Sequence, residues 1–125
     1  MREVIATSNA PKAIGPYSQA IKANGFIYLS GQTALDPATQ QLIGGGIAEQ
    51  TARVLNNLQA VLQAAGSGLD KVVHCSVFLK NMNDFAAMNA IYGQFFRATP
   101  PARTTVQAAG LPKDGLVEIN AVALA

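Results

Sequence analysis

The sequence specifies an α+β subunit: one mixed β-sheet with two helices packed on one of its faces. Segments with helical apolar spacing occur twice, and alternating or β-rich segments six times, in the order β-β-β-α-β-α-β-β. Two helices are too few to cover both faces of such a sheet, so they share one. Half of the 125 residues are hydrophobic and only 13% are charged. The other face, expected to carry Val, Leu and Ala rather than charges, is then a surface for another subunit.

Each element has its own signal. Glu3 to Thr7 forms a short edge strand, ended by Ser8-Asn9-Ala10-Pro11. Ser18 to Ala23 and Phe26 to Ser30 flank Asn24-Gly25, which supplies the positive φ of a tight hairpin. Asp36-Pro37 turns the next loop, and Gly44-Gly45-Gly46 lets the backbone turn into a helix. From Ile47 to Ala65 the period is helical: Leu55, Leu58, Leu62 and Ala65 share a face flanked by Val54 and Val61, and Gly66 and Gly68 stop it. Val72 to Lys80 alternates as a strand, with Val73, Cys75, Val77 and Leu79 on one side. A second helix starts at Asn81 or Asn83, presents Phe85, Met88, Tyr92, Phe95 and Phe96, and stops before Pro100-Pro101. Strands Arg103 to Ala109 and Leu116 to Leu124 follow, joined by the turn-rich Leu111-Pro112-Lys113-Asp114-Gly115.

Residues 1–125 have the length of one domain with one core. The hydrophobic content excludes a disordered chain. A net charge of +2 spread over scattered Lys and Arg leaves no basic stripe, so no nucleic-acid partner is expected. No segment has signal-peptide character or the length of a membrane span, and one cysteine fits a reducing compartment; the expected location is the cytoplasm. His74 and Cys75 are strand neighbours whose side chains diverge, so they neither chelate one ion nor form a nucleophilic dyad. The glycine run lacks the spacing of a phosphate-binding loop. No cofactor is expected.

Two charged residues stand apart. Glu118 lies mid-strand among Leu116, Val117, Ile119, Ala121 and Val122, where glutamate is a poor strand former. It either faces solvent or has a buried partner or task. Arg103 follows Pro100-Pro101-Ala102 with few charges nearby. It is either a solvated strand-end residue or a planar fork for a carboxylate.

Gly15-Pro16-Tyr17-Ser18-Gln19-Ala20, Ile27-Tyr28-Leu29-Ser30-Gly31-Gln32, and Pro101-Ala102-Arg103 leading to Val117-Glu118-Ile119 resemble the signature blocks of the RidA (YjgF) family, at matching spacing over essentially the whole chain. The resemblance implies a chorismate-mutase-like subunit, assembled as a homotrimer around a central barrel with a cleft between each pair of neighbours. It implies cofactor-independent hydrolysis of 2-imino and 2-enamino acids, such as 2-aminoacrylate, 2-iminobutanoate or 2-iminopropanoate, to 2-keto acids and ammonia. Arg103 would clamp the substrate carboxylate near the Gly31 backbone N–H, and Glu118 would activate water. Tyr17, Ser30 and Asn89 would line the pocket, with some of these groups coming from the neighbouring subunit. One position departs: many relatives carry cysteine two residues after the arginine, where this chain has Thr105. Its hydroxyl and N–H remain available to a ligand, whereas thiol redox chemistry there is lost. Cys75 is expected to lie elsewhere. A non-catalytic sensor of small carboxylates, or a chaperone-like protective module, is the alternative; RNA cleavage fits the scattered charges poorly.

Overall fold

A computed structural model describes residues 1–125. The strands are β1 (Glu3–Ile5), β2 (Ala20–Ala23), β3 (Phe26–Gln32), β4 (Val72–Leu79), β5 (Ala102–Gln107) and β6 (Val117–Leu124); the helices are α1 (Ile47–Ala64) and α2 (Phe85–Phe95). The strands form one sheet in the order β1-β2-β3-β6-β4-β5. Every pairing is antiparallel except β4 with β5, whose parallel register needs the crossover that α2 supplies. No helix is long and apolar enough to cross a membrane.

The local signals act as the chemistry dictates. Asn24 and Gly25 both have positive φ, 54° and 81°, and close the β2–β3 hairpin. Gly45, at φ 90°, turns the chain into α1, and Glu49 accepts a 2.8 Å hydrogen bond from the Gly46 N–H to cap it. The Asn81 side chain accepts from the Asn83 N–H at 2.9 Å and starts the turn that leads into α2.

The helices cover one face of the sheet. Val54, Leu55, Leu58, Val61 and Leu62 of α1 are buried against Ile27 and Leu29 of β3 and against Val117, Ile119, Ala121 and Ala123 of β6. Alternation then sends Glu118, Asn120, Val122 and Leu124 to the opposite face. Through the register, that face also carries Phe26, Tyr28, Val4, Phe78 and Val106. Val4, Phe26, Tyr28, Val106 and Leu124 are all exposed there.

Several expectations need correction. The uncovered face carries Ala23 and Ala102 beside its valines and leucine, as expected, but it also carries the aromatic Phe26 and Tyr28, while Ala121 and Ala123 of β6 face the helices. Val73 does not share a side with Cys75, Val77 and Leu79: an irregularity between Val72 and His74 buries Val72 and leaves Val73 exposed. β1 and β2 are shorter than the sequence indicates, because the segment between them is tied down by Gln19 instead. The Gln19 side chain accepts from the Thr7 N–H at 2.7 Å and donates to the carbonyls of Thr7 and Pro11, at 3.1 and 2.7 Å. Those backbone groups therefore bond to an amide, not to a strand. Phe96 lies beyond α2 and packs on Tyr92, whereas Phe85 is exposed.

Candidate active site

The expected site residues gather in two places on opposite faces of the sheet. Arg103 pairs with Cys75 across the parallel β4–β5 register, and Cys75 pairs with Ala121, a helix-facing residue of β6. Arg103 accordingly points toward α2, where its guanidinium carbon lies 4.8 Å from the Tyr92 ring centroid and 5.5 Å from that of Phe85. Thr105 follows on the same face. Asn89, between Phe85 and Tyr92 in the helical period, completes this group. The Asn89 Oδ1 and Thr105 Oγ1 atoms are buried and have no hydrogen-bond partner within the chain. Each is a group that demands a polar partner.

Glu118 projects from the other face. Between Leu29, which pairs with Ala121, and Gln32, which pairs with Ile119, both Ser30 and Gly31 oppose the single residue Asn120. This bulge bends β3 and brings Gly31 against the Glu118 carboxyl. A Cβ at Gly31 would overlap Oε2 and lie 2.9 Å from the carboxyl carbon, so a side chain is sterically excluded while the carboxylate keeps this position. The two share a cavity of about 100 Å³ with Tyr17, Gln32, Thr33 and Lys113. Ser30 borders Tyr17 on the adjoining surface, and its hydroxyl donates to the Ser18 carbonyl at 2.6 Å. That bond leaves its oxygen free to accept from a ligand.

Electrostatics separates the two groups. Burial pushes the Glu118 carboxyl above the usual carboxylate range. Near Arg103, burial likewise raises the Cys75 thiol, opposed by the Tyr92 hydroxyl and the Arg103 charge. Tyr92 is raised well above the ordinary phenol range, mainly by burial. Cys75 and Tyr92 are therefore neutral, and neither offers Arg103 an anionic partner. The expectation that Cys75 lies elsewhere is corrected: it sits on β4 directly beside Arg103 of the adjacent β5. It is fully buried and protonated, which makes it a packing residue rather than a nucleophile. No three His, Cys, Asp or Glu side chains gather into a metal-binding group.

Arg103 and Glu118 stand out in the sequence, whereas Lys113 beside Glu118 and the residues that support the site do not. Gln50 of α1, buried, accepts from the Leu116 N–H at 2.9 Å and fixes the start of β6 ahead of Glu118. Asn57 donates to the carbonyls of Thr33 and Leu35, at 3.3 and 2.9 Å, and holds the chain just past Gly31. Both lie in the helix that faces the core, and the only signal in the sequence was a polar residue inside an apolar stripe. Phe85 and Tyr92 appeared as core residues rather than as neighbours of Arg103.

Arg103 and Glu118 do not meet within one chain. They lie on opposite faces, three residues out of register, and on strands separated by β4 that run about 10 Å apart. One group offers a cation and unpartnered polar atoms; the other offers a carboxylate with a raised pKa.

A family model described as Endoribonuclease L-PSP matches residues 7–125. The chain is 47% identical to a 2-iminobutanoate/2-iminopropanoate deaminase of Bos taurus, over 99% of this chain and 90% of that protein. Two crystal structures share the fold: RidA from an Antarctic Psychrobacter species, with TM-score 0.95 and 40% identity over 98% of this chain and 99% of that one, and TdcF of E. coli with bound serine, with TM-score 0.94 and 39% identity over 98% of each.

Proposed function

The chain belongs to the Endoribonuclease L-PSP family, which is also the RidA family, and from that premise we propose that it hydrolyses 2-imino and 2-enamino acids to 2-keto acids and ammonia. The observation that carries this reading is the Glu118 carboxyl, half-buried against Gly31 with its pKa raised. A carboxylate tuned upward is the better general base near neutral pH. The substrate carboxylate pairs with the Arg103 fork, which has the right shape for two parallel hydrogen bonds. The E. coli relative holds serine, a small molecule with such a carboxylate.

The chemistry asks little more than positioning. Glu118 takes a proton from water as the oxygen adds to C2 of the protonated imine, giving a carbinolamine. The same carboxyl returns that proton to nitrogen. The C2–N bond breaks, ammonia leaves, and the hydroxyl proton is lost as the C2 carbonyl forms. The enamine joins this path after its terminal carbon accepts a proton. Orientation and one proton relay suffice for an iminium carbon that is already electrophilic.

Two copies of the chain are required to build such a site. Arg103, Asn89 and Thr105 of one subunit face Glu118, Gly31, Tyr17 and Ser30 of its neighbour. The exposed apolar face of the sheet, with Val4, Phe26, Tyr28, Val106 and Leu124, supplies the surface on which they associate. A homotrimer with a closed set of such contacts fits this arrangement. The site binds a small molecule and uses no cofactor, and the working location is the cytoplasm, where imines arise from amino-acid breakdown.

The test is keto-acid release from 2-iminobutanoate generated in situ by an amino-acid oxidase, with semicarbazide competing for the imine. The wild type is expected to suppress semicarbazone formation. Silence on imines from small and large amino acids alike would remove the hydrolase reading and leave a sensor of small carboxylates.

Gly31→Ala gives an independent check. The new methyl displaces the Glu118 carboxyl, which swings at little cost because it is the end of a flexible side chain. The variant is expected to keep its fold and melting temperature while kcat/KM falls about 10- to 100-fold. Unchanged turnover would mean that the carboxyl does not work from this position.

A further inference from the structure

Arg103 is held in an unusual way for a strand arginine. The chain makes one ion pair, Lys80 with Asp114 at 2.8 Å, and none to Arg103. Instead, the guanidinium is flanked by two rings, Tyr92 at 4.8 Å and Phe85 at 5.5 Å. Phe85 and Tyr92 are seven residues apart on α2, two helical turns, and so lie on one face. Tyr92 is only 5% exposed and rests on Phe96, with ring centroids 4.7 Å apart; that packing fixes its plane.

The physical consequence concerns the donor fork. A carboxylate partner would align Arg103 by occupying its N–H groups. Ring faces attract the same cation through the quadrupole and leave those N–H groups unpaired. The thiol and phenol beside it are neutral, so no internal anion competes with a ligand.

We propose that Phe85 and Tyr92 form an aromatic clamp that positions the Arg103 guanidinium for the substrate carboxylate, and that Tyr92 is its fixed jaw. Both are positioning residues: they act through Arg103 and not on the reacting carbon. The inference rests on the carboxylate role proposed above for Arg103.

The clamp separates binding from chemistry. Tyr92→Leu removes the ring but keeps an apolar core side chain, and is expected to raise KM about tenfold with kcat within about twofold. The Kd for 2-oxobutanoate, a non-reacting keto-acid product measured by titration calorimetry on the full assembly, is expected to rise by the same factor. Tyr92→Phe keeps the ring and is expected to restore both values. Phe85→Leu, at an exposed position that does not threaten folding, is expected to weaken 2-oxobutanoate about two- to threefold. If the wild type binds 2-oxobutanoate and turns over imines while Tyr92→Leu leaves KM and Kd unchanged, the clamp is wrong and the hydrolase stands. Tyr92→Phe as damaged as Tyr92→Leu would likewise overturn it, assigning the effect to the hydroxyl. A wild type that neither binds 2-oxobutanoate nor hydrolyses imines removes the carboxylate role itself, and the clamp falls with it. If Tyr92→Leu does not fold, Phe85→Leu decides: unchanged Kd overturns the clamp.

Discussion

Glu118→Gln is expected to lower kcat for imine hydrolysis by roughly 10²- to 10⁴-fold with KM changed only slightly, because the amide keeps the shape and loses the base. The direction of the pKa shift adds two consequences. The base works only when ionised, and burial raises its pKa, so the wild-type kcat/KM should fall on the acid side from a higher pH than an exposed glutamate would give. Glu118→Gln should lose that acid limb along with the rate. The stability effect has the opposite sign. A carboxyl whose folded-state pKa lies above its unfolded value holds its proton more tightly when folded. Its contribution to stability is full below the unfolded pKa and is lost as pH rises through the folded one. At neutral pH the ionised, half-buried Glu118 therefore costs stability, and Glu118→Gln should melt at a higher temperature than the wild type. A variant that is both inactive and less stable would indicate that the carboxylate is structural.

Arg103→Ala is expected to cost about 2–5 kcal/mol of transition-state binding, since it leaves the substrate carboxylate without its charged partner. That is a loss of roughly 30-fold to several thousand-fold in kcat/KM. Activity within twofold of the wild type would take Arg103 out of the mechanism. The same variant tests whether the site is shared between subunits. If Arg103 and Glu118 of different chains form one site, refolding Arg103→Ala chains together with Glu118→Gln chains should regain activity that neither has alone. Random assortment restores about a quarter of the sites. A mixture as inactive as its parents would show that each chain builds its own site, against the geometry that separates the two residues by a whole sheet.

The elements and their order follow from local residue patterns. Asn24-Gly25 fixes the hairpin because it supplies the backbone conformation that an I′ turn requires, and the leucine spacing of α1 defines its buried face. Arg103 and Glu118 were legible as unusual because each is a charge in apolar surroundings, and the signature blocks gave them roles. Where those charges point and what surrounds them depends on contacts between distant segments. The bulge at Ser30-Gly31 depends on how β3 pairs with β6, and it alone brings Gly31 onto the Glu118 carboxyl. Val73 went to an unexpected face because face depends on registry across strands, which one irregular pairing inverts. Cys75 and Arg103 are 28 residues apart in the chain yet paired in the sheet, since the α2 crossover returns β5 alongside β4. Tyr92 and Phe85 read as core at helical spacing, and only that crossover lays their rings on a guanidinium. Local physics sets an element from its own residues; the partner of each side chain is set by segments distant in sequence, and for this site by a second copy of the chain.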